Sequence, residues 1–279
     1  MGLTDFLLVL LAGGAAGFLN SVVGSGTLIT FPTLLALGFP PVVANTSNTV
    51  GLVAGGVAST VSMVPELRGQ RQRFIKMAIA AVIGGSIGAA LLLVLPPDAF
   101  NTIVPVLIAL GCVLVAIQPF VSKAVARRRA TAATAESGTA GADIVAGESG
   151  AADTPVPVTA TRTKDPVWTW FAALGTSVYG GYFGAAQGVL LMGFIGLGIN
   201  EPLQRLNGLK NGVATIVNAV AALVFIIFAD VNWMVALAIG IGAIIGGFIG
   251  PKVGRNLPQP VYRVIIIAVG VVAIINLLR

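Results

Sequence analysis

The residues of this chain that could do chemistry lie inside apolar runs. The first group interrupts the opening hydrophobic stretch, N-S-V-V-G-S-G-T-L-I-T-F-P at 20–32, with Asn20, Ser25, Gly26 and Thr27. The second, Y-G-G-Y-F-G-A-A-Q-G at 179–188, brings Gln187 and Gly188. Backbone broken at membrane depth must be buried in protein or line a water-filled cavity, because lipid satisfies neither N–H nor C=O. A half-helix N-terminus offers free N–H donors and partial positive charge, which seat an anion. The bland role of glycine in membrane helices is close packing. That role is preferred for Gly84, Gly85, Gly88, Gly242, Gly246, Gly247 and Gly250. Polar neighbours set Gly24, Gly26, Gly184 and Gly188 apart from them.

Two polar clusters open later apolar segments. In P-P-V-V-A-N-T-S-N-T (40–49), Asn45, Asn48 and Thr49 are spaced i, i+3, i+4 and share a helix face. Pro40 and Pro41 suit the helix start. Capping accounts for one of these polar residues, not all; ligand contact and hydrogen bonding between helices both remain open for the rest. In Q-R-L-N-G-L-K-N (204–211), Asn207, Lys210 and Asn211 repeat the spacing. An ionisable residue inside a membrane segment is a functional candidate by default. The competing role for Lys210, two turns in, is to snorkel to the cytoplasmic edge. A cation among amides and helix N-termini suits a small anion.

Other chemistry is excluded by what is missing. The chain has no His and a single Cys, Cys112. An internal disulfide is impossible, and Ser-His or Cys-His nucleophiles and His- or Cys-based metal sites have no ligands to draw on. No Asp or Glu lies deep in an apolar segment, so paired-carboxylate catalysis is not expected. Neither enzyme activity, a cofactor nor a metal is expected.

The elements that must position these residues are membrane helices. Of the 279 residues 56% are hydrophobic and 9% charged, against about 25% charged in soluble domains. Mean hydropathy is +0.97. The partner is the lipid bilayer; a net charge of +6 reflects basic cytoplasmic loops rather than nucleic acid. The N-terminus has Asp5 and no basic stretch, unlike a signal peptide. Apolar segments run over 3–22, 26–37, 42–63, 74–95 and 99–121, then over 167–183, 186–199, 202–229, 232–250 and 260–278. The organisation expected is a first membrane repeat at 1–121, a disordered cytoplasmic linker at 122–165 and a second repeat at 166–279.

The halves correspond, with Asn45 matching Asn207 and Thr49 matching Asn211. Their loop charges are reversed. The 65–76 loop carries Arg68, Arg71, Arg73 and Lys76, while its counterpart at 229–232 carries Asp230. The 96–98 turn has Asp98, while its counterpart at 251–257 has Lys252 and Arg255. Reversal marks inverted-topology repeats, a hallmark of secondary transporters. The positive-inside rule places the linker inside and both termini outside. The segments at 26–37 and 186–199 are short of a full crossing and read as half-helices or re-entrant hairpins. The fold expected is an all-α polytopic membrane protein of two inverted repeats, each of four to five helical segments with a broken or re-entrant first helix. About eight segments cross, or up to ten if all do.

The pieces A-G-F-L-N-S-V-V-G-S-G-T-L-I-T-F-P-T-L-L-A-L-G, P-P-V-V-A-N-T-S-N-T-V, E-L-R-G-Q-R, F-G-A-A-Q-G-V-L-L-M-G and L-N-G-L-K-N resemble the TauE/SafE sulfite exporter family across both halves. The resemblance implies a bacterial inner-membrane permease for a small anion such as sulfite, an organosulfonate or a short carboxylate, and implies export. An uptake permease, an anion channel or a non-transporting scaffold are the alternatives, and a homodimer stays open. Many members carry G-x-G-G-G, whereas this chain has G-S-G-T and G-A-A-Q-G, which leaves the substrate open.

Overall fold

In the computed structural model the described residues are 1–140, 165–253, 264, 266–269, 271, 274 and 275. They form helices and connections, with no strand among them. The order is α1 Leu3–Val22, α2 Thr27–Ala36, α3 Pro41–Ser62, α4 Val64–Leu67, α5 Arg71–Val94, α6 Pro97–Ala140, α7 Trp168–Tyr182, α8 Gln187–Gly198, α9 Leu203–Phe228 and α10 Trp233–Val253. Five are long and apolar enough to cross a bilayer: α1, α5, α9, α10 and the Asp98–Phe120 part of α6. The protein is an all-α polytopic membrane protein. Large apolar side chains stand exposed in helical stripes, such as Ile79, Ile83, Ile87 and Leu91 on α5. In water such a stripe would mark an interface; here it faces lipid.

Most boundaries fall within a few residues of those expected. Pro41 is the first residue of α3, as its fixed φ favours. The larger difference is at α6, which continues from the apolar segment ending at 121 to Ala140. The stretch K-A-V-A-R-R-R-A-T-A-A-T-A is rich in Ala and Arg, both strong helix formers. The rest of the expected linker, 141–164, and most of the 260–278 segment lie outside the described residues.

Glycines set the closest helix contacts. On α10, a Cβ at Gly242, Gly246 or Gly250 would collide with α1 at Leu10, Gly14, Phe18 and Ser21. On α5, one at Gly84 or Gly88 would collide with α7 at Leu174, Ser177, Val178 and Tyr182. Gly85 and Gly247 likewise face Val217 and Gly55. The packing role expected for all seven is met, since small residues let backbones approach where dispersion drives association. The first helix of each half therefore packs on the third long helix of the other: α1 on α10, and α7 on α5. The centre of the bundle is formed by α3 and α9, which also pack on each other.

Contacts between the helices also order their ends. Gly13 and Gly17 of α1 meet Ile239 and Ala243 of α10, so these two helices run in the same direction. Thr46 Oγ1 donates to Asp230 O at 2.7 Å, and Asn232 N–H donates to Ser47 Oγ at 2.8 Å. The starts of α1, α3 and α10 thus share one end of the bundle. At the other end Arg73, at the start of α5, pairs with Asp165 at 2.6 Å and Glu201 at 3.0 Å. Arg205 pairs with the same Glu201 at 2.8 Å and donates to Arg68 O at 3.0 Å. The starts of α5, α7 and α9 share this second end.

The short helices turn back rather than cross. The end of α8 packs on the start of α7, where a Cβ at Gly198 would strike Trp168 and Thr169. The ten residues of α2 rise about 15 Å, half of a hydrocarbon core of about 30 Å. They lead back to the end where both α1 and α3 begin. In each pair, α1–α2 and α7–α8, the short helix turns back toward the end at which the longer one begins.

Candidate functional site

The two hairpin turns are built alike. Leu19 O accepts from Val23 N at 2.7 Å and Gly24 N at 3.0 Å; Tyr179 O accepts from Phe183 N at 3.0 Å and Gly184 N at 3.1 Å. Gly24 and Gly184 take φ of 86° and 73°, the left-handed conformation that closes a helix C-terminus. Ala186 takes φ 60° at the start of α8, strained for a residue with a Cβ. Tyr179 steadies that turn by donating its hydroxyl to Ala185 O.

The turns meet. Gly188 N–H donates to Gly24 O at 3.0 Å, and a Cβ at either glycine would strike the other's Cα. The second break is therefore not merely the counterpart of the first but its direct partner. Gly26 is also tight, since a Cβ there would meet Ala16 O on α1. The N–H groups of Ser25, Gly26 and Thr27 make no backbone hydrogen bond among the described residues. Ser25 Oγ and Gln187 Nε2 are buried without a partner among the described residues. Two polar side chains and a helix start are thus left unsatisfied where the hairpins cross, a condition rare in native interiors.

The Asn-rich faces of α3 and α9 do something the sequence did not reveal. Each reaches the C-terminal carbonyls of the other half's broken helix. Asn45 Nδ2 donates to Tyr182 O of α7 at 3.0 Å. Asn207 Nδ2 and Asn211 Nδ2 donate to Ser21 O of α1 at 3.3 and 3.1 Å. Helix ends leave carbonyls unsatisfied, so these amides act first as caps supplied from a distant segment. Asn211 also donates to Ser59 Oγ at 3.0 Å and contacts Met63 Sδ at 3.0 Å. Asn48 turns to α2, accepting from Thr30 Oγ1 and donating to Thr27 Oγ1 at 3.4 Å. Thr49 Oγ1 donates within its own helix, to Asn45 O at 2.9 Å.

Lys210 is 1% exposed. That burial corrects the snorkelling alternative: the side chain turns inward, to Asn20 O at 3.4 Å and Ser21 O at 3.5 Å. Those carbonyls carry the partial negative charge of the α1 C-terminus. No carboxylate pairs with Lys210 among the described residues. Beside it lies a cavity of about 10 Å³, lined by Asn20, Ser59, Lys210, Asn211 and Thr215 with glycines 24, 55 and 56. That is space for roughly one water molecule.

The structure thus gathers Asn20, Lys210 and Asn211 about one cavity, with Asn207 at its edge on Ser21 O. Asn45, Asn48, Thr49 and Thr27 form a second, neutral cluster where the start of α3 meets α2 and the end of α7. Ser25, Gly26, Gln187 and Gly188 stand at the crossing between them. Sequence reading missed Ser21, Ser59, Met63, Thr215 and Tyr179. Ser21, ending a helix before a Gly-Ser-Gly break, was the one with a local signal.

The bundle thus has two helix breaks in contact and a buried lysine beside a small cavity. The chain belongs to the sulfite exporter TauE/SafE family, whose family model matches residues 9–277. It is 25% identical over 280 residues to the probable membrane transporter protein ORF9 of Sinorhizobium sp, covering 99% of this chain and 92% of that one. It is 30% identical over 99 residues to the probable membrane transporter protein YfcA of Escherichia coli (strain K12), covering 33% of this chain and 35% of that protein. No solved structure matches it. The protein is a multi-pass membrane transporter.

Proposed function

We infer that this transporter carries a small anion, such as sulfite, an organosulfonate or a short carboxylate, and that it binds the anion beside Lys210 where the hairpins cross. The observation that carries this reading is a fully buried lysine with no carboxylate partner among the described residues, lining a small cavity beside Asn20, Ser59, Asn211 and Thr215. A buried charge is costly unless paired, and two long carbonyl contacts compensate it only in part. An entering anion completes the pairing, with Asn211, Ser59 and Thr215 as neutral donors. The small cavity fits a closed state, which the substrate enters only when the hairpins part. Export is the direction in the family's name. The test is thermal unfolding of the purified protein with sulfite, sulfonates and short carboxylates. At least one anion raises the midpoint saturably, adding about 2.7 kcal/mol of unfolding free energy at a hundred times its Kd; no stabilisation by any of them rejects the anion reading. Counterflow in proteoliposomes then separates a carrier from a channel.

The two halves are proposed to be inverted repeats, with the 165 end of the bundle in the cytoplasm of a bacterial inner membrane. Three features support this. α1 begins at one end and α7 at the other; α3 and α9 begin at opposite ends too. Arg71, Arg73, Lys76 and Lys252 collect at the α7 end, and Asp98 and Asp230 at the other. Reporter tags fused to Met1 and Arg279 are expected to read outside the cytoplasm, and a cytoplasmic signal from either breaks the assignment.

A further inference from the structure

We propose a second binding site, for the phosphodiester of a phospholipid with a net negative headgroup, in the cavity between the starts of α5 and α7. The cavity has a volume of about 210 Å³ and shares no lining residue with the one beside Lys210. Sites for drug-sized molecules measure ~300–1,000 Å³, so this one suits a headgroup rather than a larger ligand. Its walls come from both halves. Arg73, Lys76 and Met77, spaced i, i+3, i+4, form one face of α5. Asp165, Thr169 and Trp170 form the facing wall, just before α7 and in its first turn. Trp170 Nε1 donates to Lys76 O at 3.0 Å and ties the two walls together.

The charges there do not cancel. Arg73 donates to Asp165 through Nε at 2.6 Å and Nη2 at 2.7 Å. Its Nη1 donates to Glu201 at 3.0 Å and to Gln70 Oε1 at 3.1 Å. Of the five guanidinium N–H donors one, on Nη2, is left over. Arg205 pairs with Glu201 as well, and Lys76 has no ion pair among the described residues. Three cations, Arg73, Lys76 and Arg205, thus stand against two carboxylates, Asp165 and Glu201. The charge in excess is on Lys76, which lines the cavity. Depth in the membrane names the occupant. Trp168 and Trp170 begin α7, and Trp favours the membrane–water interface. Val167 at the cavity is exposed, as are Ile79, one turn deeper on α5 than Lys76, and Phe171 on α7. A phosphate held by Lys76 leaves its acyl chains against this apolar surface, which free phosphate would not use. Basic pockets between membrane helices hold anionic headgroups in the same way. Bound lipid would clamp α5 of the first half to α7 of the second, beside the Arg73–Asp165 pair.

The experiment melts the full-length, delipidated protein in detergent with short-chain phosphatidylglycerol, with phosphatidylcholine of the same chains, or with inorganic phosphate, at equal ionic strength. Phosphatidylglycerol is expected to raise the midpoint saturably, and the other two to leave it unchanged. Lys76→Gln, at an exposed position, should raise the half-saturating lipid concentration about tenfold, the effect of losing a hydrogen bond to a charged group. Lys252→Gln removes an exposed charge at the same end but outside the cavity, and should respond as wild type does. No saturable rise with phosphatidylglycerol, or equal responses in wild type and Lys76→Gln, overturns the proposal. Equal weakening in Lys252→Gln would reduce the effect to net charge and overturn the site. Equal stabilisation by phosphatidylcholine would assign it to the acyl chains and overturn the phosphate contact. Saturable stabilisation by inorganic phosphate that Lys76→Gln removes would overturn the lipid as occupant.

Discussion

Lys210→Met abolishes anion transport and leaves the protein folded in the membrane. Met fills most of the volume of the lysine stem and removes only the charge and its donors. The carbonyl at Ser21 keeps two other donors, Asn207 and Asn211, so the end of α1 stays capped. A buried ammonium without a carboxylate burdens the folded state, and its neutral replacement is often neutral or stabilising by about 1–4 kcal/mol. The unfolding midpoint of the empty protein is therefore unchanged or higher. Binding moves the other way. Truncating one member of a buried, hydrogen-bonded charge pair costs about 2–5 kcal/mol, and at about 2.8 kcal/mol anion affinity falls a hundredfold. Anion-dependent stabilisation should vanish over the concentrations that saturate the wild type. Normal transport by the variant would remove Lys210 from the site.

The second large effect is expected at the crossing. Gly24→Ala places a methyl group on the Cα of Gly188, and at φ 86° it also strains its own backbone. Overpacking costs about 1–3 kcal/mol, left-handed backbone at a residue with a Cβ about 1–2 kcal/mol, and the lost Gly188–Gly24 hydrogen bond about 1 kcal/mol. Gly38→Ala is the control. Gly38 has φ 81° but nothing within 4 Å of its added Cβ, so it bears the strain alone. The difference in unfolding free energy between the two variants isolates the contact between hairpins. Transport should fail in Gly24→Ala and persist in Gly38→Ala. Equal stability losses would mean that the hairpins do not depend on touching.

The membrane class was legible because bilayer insertion is a property of summed composition. The interruptions were legible for a related reason. Gly, Ser, Asn and Pro in a run that lipid should fill with Leu and Val signal free backbone groups, wherever the rest of the chain lies. The packing glycines followed from the same logic. The helix runs on past the apolar segment because the Ala- and Arg-rich stretch to Ala140 keeps helix propensity where hydropathy is low.

The polar faces were found but only partly understood. The i, i+3, i+4 spacing of Asn45, Asn48 and Thr49 establishes a shared face, not its partner. The partner of Asn45 is a carbonyl 137 residues away in sequence, and that of Asn211 is 190 residues away. Which orphan carbonyl an amide meets is decided by how two hairpins cross, and no local pattern encodes that crossing. Lys210 shows the same division. Its place two turns into a membrane helix follows from the sequence, and snorkelling would have been the cheaper fate for an isolated helix. Only packing of α9 against the end of α1 turns the ammonium inward, to carbonyls whose partial charge makes burial tolerable. The sequence by itself determined the solvent, the helices and the two breaks, because these depend on local hydrophobicity and backbone freedom. The tertiary structure alone decided that the breaks touch at Gly24 and Gly188 and that Lys210 is buried against the end of α1 while only neutral Asn45 reaches the end of α7. Those are properties of atoms brought together from both halves of the chain.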